Sequence, residues 1–257
     1  MYALSIAGFD PTGGAGILAD TKVFSLLGIK GGGVPTTLTL QSTSSFQSWE
    51  PVKPDYLKTA LELIFSDLPV KGVKIGMIGT SENLEIISFF LKKFRHQLSY
   101  IVLDPVLKAT LDHPLFFSKD FLNILKTKIL PYIDFITPNL YEASVLTERK
   151  IESQKDIIKA TQDLLKLGCK GIIIKGYTTK YFIYDYFHTP RESLFLKKKK
   201  LSIEFHGTGC AFSSAFLCFL LKGFSSLISF KKAKNWLYLY LKKGAEEKTG
   251  GKLWLFL

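Results

Sequence analysis

The sequence predicts an α/β protein: a largely parallel central sheet, helices on both faces, and antiparallel strands at the edge. Two observations carry this. Short apolar β-type runs bounded by turns alternate with helix-length segments, the pattern of a parallel sheet covered on both faces. Beyond the last of these units the order changes to closely spaced β runs, read as hairpins, and then to two helices.

Taken in order, the first strand is expected over residues 2–7. It opens the chain with no basic region or cleavage site ahead of it, so no secretory leader is expected. A helix follows over 14–27. Further strands are expected at 72–75, 100–103, 133–137 and 171–175, and helices at 56–65, 83–94, 121–130 and 154–167. Residues 181–187, 194–196 and 201–205 read as hairpin-like strands, and the lysine run 197–200 between two of them as a solvated turn. The final helices are expected over 210–221 and 229–247. The apolar run in the first of these, from Ala211 to Leu221, is far short of the ~20 residues that cross a bilayer. It also contains Ser213 and Ser214, so it reads as a buried helix. With no linker, repeat or low-complexity tract beyond the lysines, one domain over 1–257 is expected.

A chain that is 47% hydrophobic and 22% charged has the composition of a folded soluble protein. The formal net charge of +12 raises a nucleic-acid reading. Its lysines are spread over helix faces without interleaved aromatic residues, so no stacking platform is expected, and neither nucleic acid nor membrane is an expected partner. The three cysteines form no metal-type pair and argue for a reducing, cytoplasmic setting rather than a disulfide scaffold or zinc site. Cys169 and Cys218, in apolar surroundings, read as inert core residues.

Three segments carry chemistry, all where strands pass into helices, the place where α/β sheets bind ligands. The first loop is glycine-rich, Gly8 to Gly16, and leads into a helix bearing Asp20. It is neither a P-loop nor a dinucleotide fingerprint, and a tight structural turn would read the same. The last loop, His206-Gly207-Thr208-Gly209-Cys210, enters the apolar helix directly. Successive N–H groups at such a start form an anion hole suited to a phosphoryl group in transfer. The same field favours a thiolate at Cys210, which could alternatively be a small buried residue. Thirdly, Asn139 and Glu142 lie on one face of a first helical turn. They could hold a hydrated Mg²⁺ or simply form a capping box.

In order and spacing, these segments resemble the bacterial hydroxymethylpyrimidine/phosphomethylpyrimidine kinases of thiamine synthesis. The resemblance spans residues 3–245 and rests on Ala7-Gly8, Asp10, Gly13-Gly14-Ala15-Gly16, Ala19-Asp20, Lys74-Ile75-Gly76-Met77, Asp104-Pro105-Val106, Thr137-Pro138-Asn139-Leu140, Glu142-Ala143, Lys175-Gly176 and His206 to Cys210. It implies a ribokinase-like fold and ATP with Mg²⁺ as cofactors. The pyrimidine alcohol or its phosphate would be the partner molecule, with a second copy of the chain as the candidate protein partner. It further implies that the pyrimidine lies among Gly8, Asp20, Gln41, Met77, Val106 and Cys210. Asn139, Lys175, Thr208 and the Gly207–Gly209 loop would then meet ATP, Glu142 the metal, and Cys210 would be the base. Phe9, Phe205 and the loop 107–113 with His113 depart from the family pattern, so a pyridoxal or pyridoxine kinase and a non-catalytic vitamer-binding protein stand as alternatives.

Overall fold

The computed structural model describes residues 1–42, 45–107, 118–201, 205–247 and 253–254. Residues 108–113 of the divergent loop, residues 202–204 of the expected strand 201–205 and most of the C-terminal tail lie outside the described residues. Among the described residues, nine strands form one sheet: β1 (Tyr2–Phe9), β2 (Lys30–Gln41), β3 (Phe46–Pro51), β4 (Val70–Ile75), β5 (Tyr100–Leu103), β6 (Phe135–Ile136), β7 (Gly171–Thr178), β8 (Phe182–His188) and β9 (Ser193–Lys199). Their order is β3-β2-β1-β4-β5-β6-β7-β8-β9. From β2 to β7 the neighbours are parallel, whereas β3 at one edge and β8 and β9 at the other run antiparallel.

The helices are α1 (Gly16–Leu26), α2 (Pro54–Asp67), α3 (Ser81–Phe94), α4 (Lys119–Ile124), α5 (Leu140–Thr147), α6 (Gln154–Lys166), α7 (Thr208–Leu221) and α8 (Ser226–Glu247). Two hydrophobic cores lie on opposite faces of the sheet. Strand parity divides residues between them: Ile101, Leu103, Ile172 and Ile174 join the core under α2 to α6, while Val102 and Ile173 join the one under α1, α7 and α8. Because α7 is enclosed by α1, α8 and the strands β4 and β5, every residue from Ala211 to Leu221 except Phe219 is buried. Its uniform apolarity is that of an interior helix. Among the described residues no helix is long and apolar enough to cross a membrane.

The structure departs from the sequence expectations in three places. β2 and β3 were not legible, since Gly31 to Gly33 and Pro35 are poor strand formers. Pairing with β1 from Tyr2↔Lys30 to Ile6↔Val34 overrides that propensity, and Pro35 falls beside the bulge at Ala7/Gly8. The glycines are also a packing device. A Cβ at Gly31 would sit 2.5 Å from the Phe24 ring of α1. The expected helix 121–130 is α4 continued by a π-turn (Leu125–Ile129) and a 3₁₀ turn at Pro131. The first helical turn expected at Asn139 is present and opens α5.

The third departure is the lysine run. Lys197, Lys198 and Lys199 are not a turn but the end of β9, opposite Tyr184, Ile183 and Phe182. The β8 pairing satisfies their backbone, and the ammonium groups lie over aromatic faces. Lys197 is 3.9 Å from the Phe182 ring centre and Lys198 5.2 Å from that of Tyr238. Two short strands, β10 (Phe205–His206) and β11 (Leu253–Trp254), pair in parallel apart from the main sheet.

Candidate active site

The first loop is shaped by Asp10, a residue with no assigned role in the sequence reading beyond its place in the motif. Its Oδ1 accepts from the Thr12 N–H at 2.9 Å and the Thr12 hydroxyl at 2.8 Å, and its Oδ2 accepts from the Ala15 N–H at 2.9 Å. These bonds curl the chain so that α1 starts at Gly16, immediately above the end of β1. The signal that could have exposed this is Asp-x-Thr followed by glycines, an Asx-turn sequence.

The last loop packs directly onto the first. Gly207, the N-cap of α7, has φ +78°, and a Cβ there would lie 1.7 Å from the Gly14 carbonyl oxygen. Only glycine permits both the left-handed backbone and this approach. The contact places Cys210, in the first turn of α7, beside the start of α1, where the Gly16 backbone favours its thiolate.

Beside the Cys210 turn stands a buried charged cluster. Lys175 of β7 pairs with Asp104, just past β5, at 2.7 Å, and the Thr137 hydroxyl donates to the same oxygen at 3.1 Å. A Cβ on Gly209 would approach Asp104 Oδ2 to 3.3 Å and Lys175 Nζ to 3.4 Å, so the anion-hole turn borders this pair. Burial would raise the Asp104 carboxyl, but Lys175 and Lys74, with the hydrogen bonds from Lys175 and Thr137, hold it below its ordinary value. Glu142 behaves oppositely. Burial, then the neighbouring Asp104 charge, push it up to about 8.

The capping box weighed for Asn139 and Glu142 is present. The Asn139 N–H donates to Glu142 Oε2 at 2.8 Å, and the Glu142 N–H to Asn139 Oδ1 at 2.9 Å. Both residues also line the cavity, so the cap does not exclude a second use. The raised carboxyl of Glu142 next to Asp104 marks a place short of positive charge. A divalent cation would relieve that shortage, so the residues present fit Mg²⁺.

Two sequence expectations fail here. Asp20 does not reach the cavity. It is fully buried beneath it, its Oδ2 accepting from Lys74 at 2.8 Å and Ser5 at 2.6 Å, and its Oδ1 from Ser214 at 2.8 Å. Its oxygens are engaged by the protein interior. Burial lifts the Asp20 carboxyl against these donors, whereas Asp20, Cys210 and Asp104 outweigh burial to hold the Lys74 ammonium above its ordinary value. Three donors on two oxygens is the geometry of a charged pair, and we take it as one. The second failure concerns Cys210, where burial exceeds the help of the Lys74 charge and pushes the thiol up to about 11. The thiol, not the thiolate, is the resting form. Cys169 and Cys218 lie in the core, and burial pushes each up to about 12.

All the other expected site residues line one cavity of about 1020 Å³. That is at the top of the usual ligand-site range of roughly 300–1,000 Å³, with room for two small ligands. One end is bounded by Gly8, Gln41, Met77 and Val106, and the ring of Phe46 on β3 lines it as well. Met77, Val106, Phe46 and Trp49 form a small apolar cluster there. Gly207, Thr208, Gly209 and Cys210 lie with Asn139, Glu142 and Lys175 on the same wall. The far end was missed by sequence reasoning. It is built from Ile183 and Asp185 on β8, Lys199 at the end of β9, and Lys234, Leu237 and Tyr238 on α8. Asp185 accepts from the Gly176 N–H at 2.9 Å and pairs with Lys234. Nothing local in those segments signals a site, because the wall exists only once α8 has packed against the hairpin.

Comparison with known proteins agrees with this geometry. The family model described as phosphomethylpyrimidine kinase matches residues 10–252. The hydroxymethylpyrimidine/phosphomethylpyrimidine kinase of Aquifex aeolicus is 37% identical over 239 residues, 92% of each chain. Among solved structures, the phosphomethylpyrimidine kinase of Clostridium difficile superposes with a TM-score of 0.81 at 30% identity, covering 94% of this chain and 99% of that one. The pyridoxal kinase of Bacillus subtilis, solved with ADP, gives 0.84 at 27% identity, covering 94% and 92%. With the ribokinase-like sheet, the paired glycine loops and Cys210 at the head of α7 in place, the chain belongs to the phosphomethylpyrimidine kinase family.

Proposed function

We propose that this protein transfers the γ-phosphoryl group of ATP to the hydroxymethyl oxygen of 4-amino-5-hydroxymethyl-2-methylpyrimidine, and then to the resulting monophosphate, for thiamine diphosphate synthesis. The observation that carries the reading is the single cavity that joins an apolar, amide-bearing end at Gln41 and Met77 to the helix start at Gly207–Cys210. The aminopyrimidine ring would lie between Met77 and Val106, with the Gln41 amide on its polar edge and Gly8 beneath. ATP would run from Lys175, Asn139 and Thr208 towards the far wall on α8.

In the first transfer the acceptor oxygen attacks the γ-phosphorus as the bond to the β–γ bridging oxygen breaks and ADP leaves. The hydroxyl proton passes to the Cys210 sulfur, which acts from the minor fraction that has first lost its own proton to solvent. Charge on the transferred group is met by the N–H groups of Gly207 and Gly209 and by Lys175. Mg²⁺ held at Glu142 would supply charge neutralisation for the phosphates. In the second transfer the acceptor is already anionic and needs no base. The same reading places the enzyme in the cytoplasm, where its three free cysteines stay reduced.

Pyridoxal phosphorylation is the second reading, favoured by the likeness to the Bacillus subtilis enzyme and by the aromatic wall at Phe46. ATP turnover measured side by side with the pyrimidine alcohol, its monophosphate and pyridoxal decides between them. The expected result is a kcat/KM highest for the two pyrimidines. Pyridoxal as the best acceptor would replace the proposal, and binding of the pyrimidine without turnover would make the chain a vitamer-binding protein.

A further inference from the structure

A fully buried lysine bound to a fully buried aspartate is an expensive feature. A well-packed apolar pair of the same volume would serve stability as well or better. The Lys74–Asp20 pair, 2.8 Å apart with neither side chain exposed, therefore calls for a use other than stability. Its position supplies one. Asp20 accepts from Ser214, which stands four residues after Cys210 on α7, and side chains so spaced lie on one helix face with Cβ atoms about 5–6 Å apart. Ser5 of β1, Asp20 of α1, Lys74 of β4 and Ser214 of α7 thus meet at one knot directly behind the Cys210 turn. A Cβ on Gly76 would lie 2.8 Å from Lys74 Nζ, so the ammonium lies folded back under the strand end that leads to Met77 and the cavity.

We infer that Lys74, anchored by Asp20, is the positioning residue that supplies the positive charge by which Cys210 can exist as a thiolate. The inference rests on the proposed role of Cys210 as base. The charged groups acting on the sulfur are Lys74 from β4, Asp20 from α1, Asp104 from beyond β5 and Lys175 from β7, and the Gly16 backbone acts with the lysines. The two carboxylates oppose the thiolate, and each is tied to its own lysine. Of the charges on Cys210, Lys74 exerts the largest effect and acts in favour of the thiolate. Without it, the burial that already places the thiol at about 11 would be opposed chiefly by the Gly16 backbone and by Lys175, which is committed to Asp104.

Cys210 is partly open to the cavity, so a small alkylating reagent reads its thiolate fraction without any kinase assay. Iodoacetamide labelling at a fixed pH near 8.5, quantified on the Cys210 peptide by mass spectrometry, is compared in wild type, Lys74→Met, Lys74→Arg and the neutral double variant Asp20→Asn/Lys74→Met. An opposite charge nearby typically shifts a pKa by about 1–3 units. Lys74→Met should therefore slow labelling about tenfold or more, and Lys74→Arg should restore most of the rate. The double variant keeps the knot free of an unpaired carboxylate and should still label several-fold more slowly than wild type. In the same proteins, phosphorylation of the alcohol should fall in proportion while that of the monophosphate holds. Unchanged labelling in both Met-containing proteins, with the alcohol reaction lost, would overturn the inference and leave Lys74 a packing residue. Failure of wild type on the pyrimidine alcohol would instead remove the proposed function, and the labelling comparison would still stand.

Discussion

Replacing Gly207 by alanine isolates the contact that brings the two glycine loops together. Gly207 has φ +78°, a conformation that costs an L-residue about 1–2 kcal/mol. The added methyl would also start 1.7 Å from the Gly14 carbonyl oxygen, where carbon and oxygen normally keep about 3.3–3.6 Å. The loops must then separate by about 1.5 Å, and overpacking of this kind typically costs about 1–3 kcal/mol more. The sum is about 2–5 kcal/mol. Gly176 provides the control. Its φ is +86° and an added Cβ meets nothing within 4 Å, so alanine there should cost only the backbone strain, about 1–2 kcal/mol. Urea unfolding of both variants measures the difference directly. Activity should separate them further, since a 1 Å misplacement of a reacting centre costs about a hundredfold and Gly207→Ala moves the anion hole itself. If Gly207→Ala is destabilised no more than Gly176→Ala and keeps its rate, the loops do not touch as described, and the anion hole must be assembled another way.

Three further outcomes are expected. Cys210→Ala should slow phosphorylation of the alcohol by about 10²–10⁴-fold, the usual worth of a general base, and that of the monophosphate far less; equal losses in steady-state rates would make the thiol a structural group. Glu142 binds its proton more tightly folded, at about 8, than at its ordinary 4.5. The folded state therefore carries the extra proton between those values, and stability should fall as pH rises from about 4.5 through about 8. Glu142→Gln should flatten that slope in unfolding measurements at pH 5 and 9 while raising the Mg²⁺ needed for turnover, since the amide oxygen still completes the cap. Gln41→Ala should weaken binding of the pyrimidine by up to about 1–3 kcal/mol in calorimetry and leave ATP binding unchanged, whereas equal losses for both ligands would place Gln41 elsewhere.

Much of this molecule is written locally. The β runs of β1, β4, β5 and β7 are apolar enough to be read singly, because a strand buried on both faces needs no partner's pattern to reveal it. The glycine-cysteine loop announces itself too, since Gly207 and Gly209 before an apolar helix have few purposes other than presenting N–H groups. Tertiary structure alone decided the rest. β2 is a strand because β1 pairs with it, against the propensity of its own glycines and Pro35. Lys197 to Lys199 form a strand end because β8 takes up their backbone bonds, although the side chains read as a solvated turn. Asp20 and Cys210 show the same limit for the site. Asp20 is held out of the cavity by a lysine 54 residues away in the chain, and the depth of a thiol outweighs the lysine charge that would ionise it. Residue type and spacing determine which groups a chain can offer. Which of them meets the ligand, and in which charge state, depends on burial and on neighbours from distant segments, and these exist only in the folded chain.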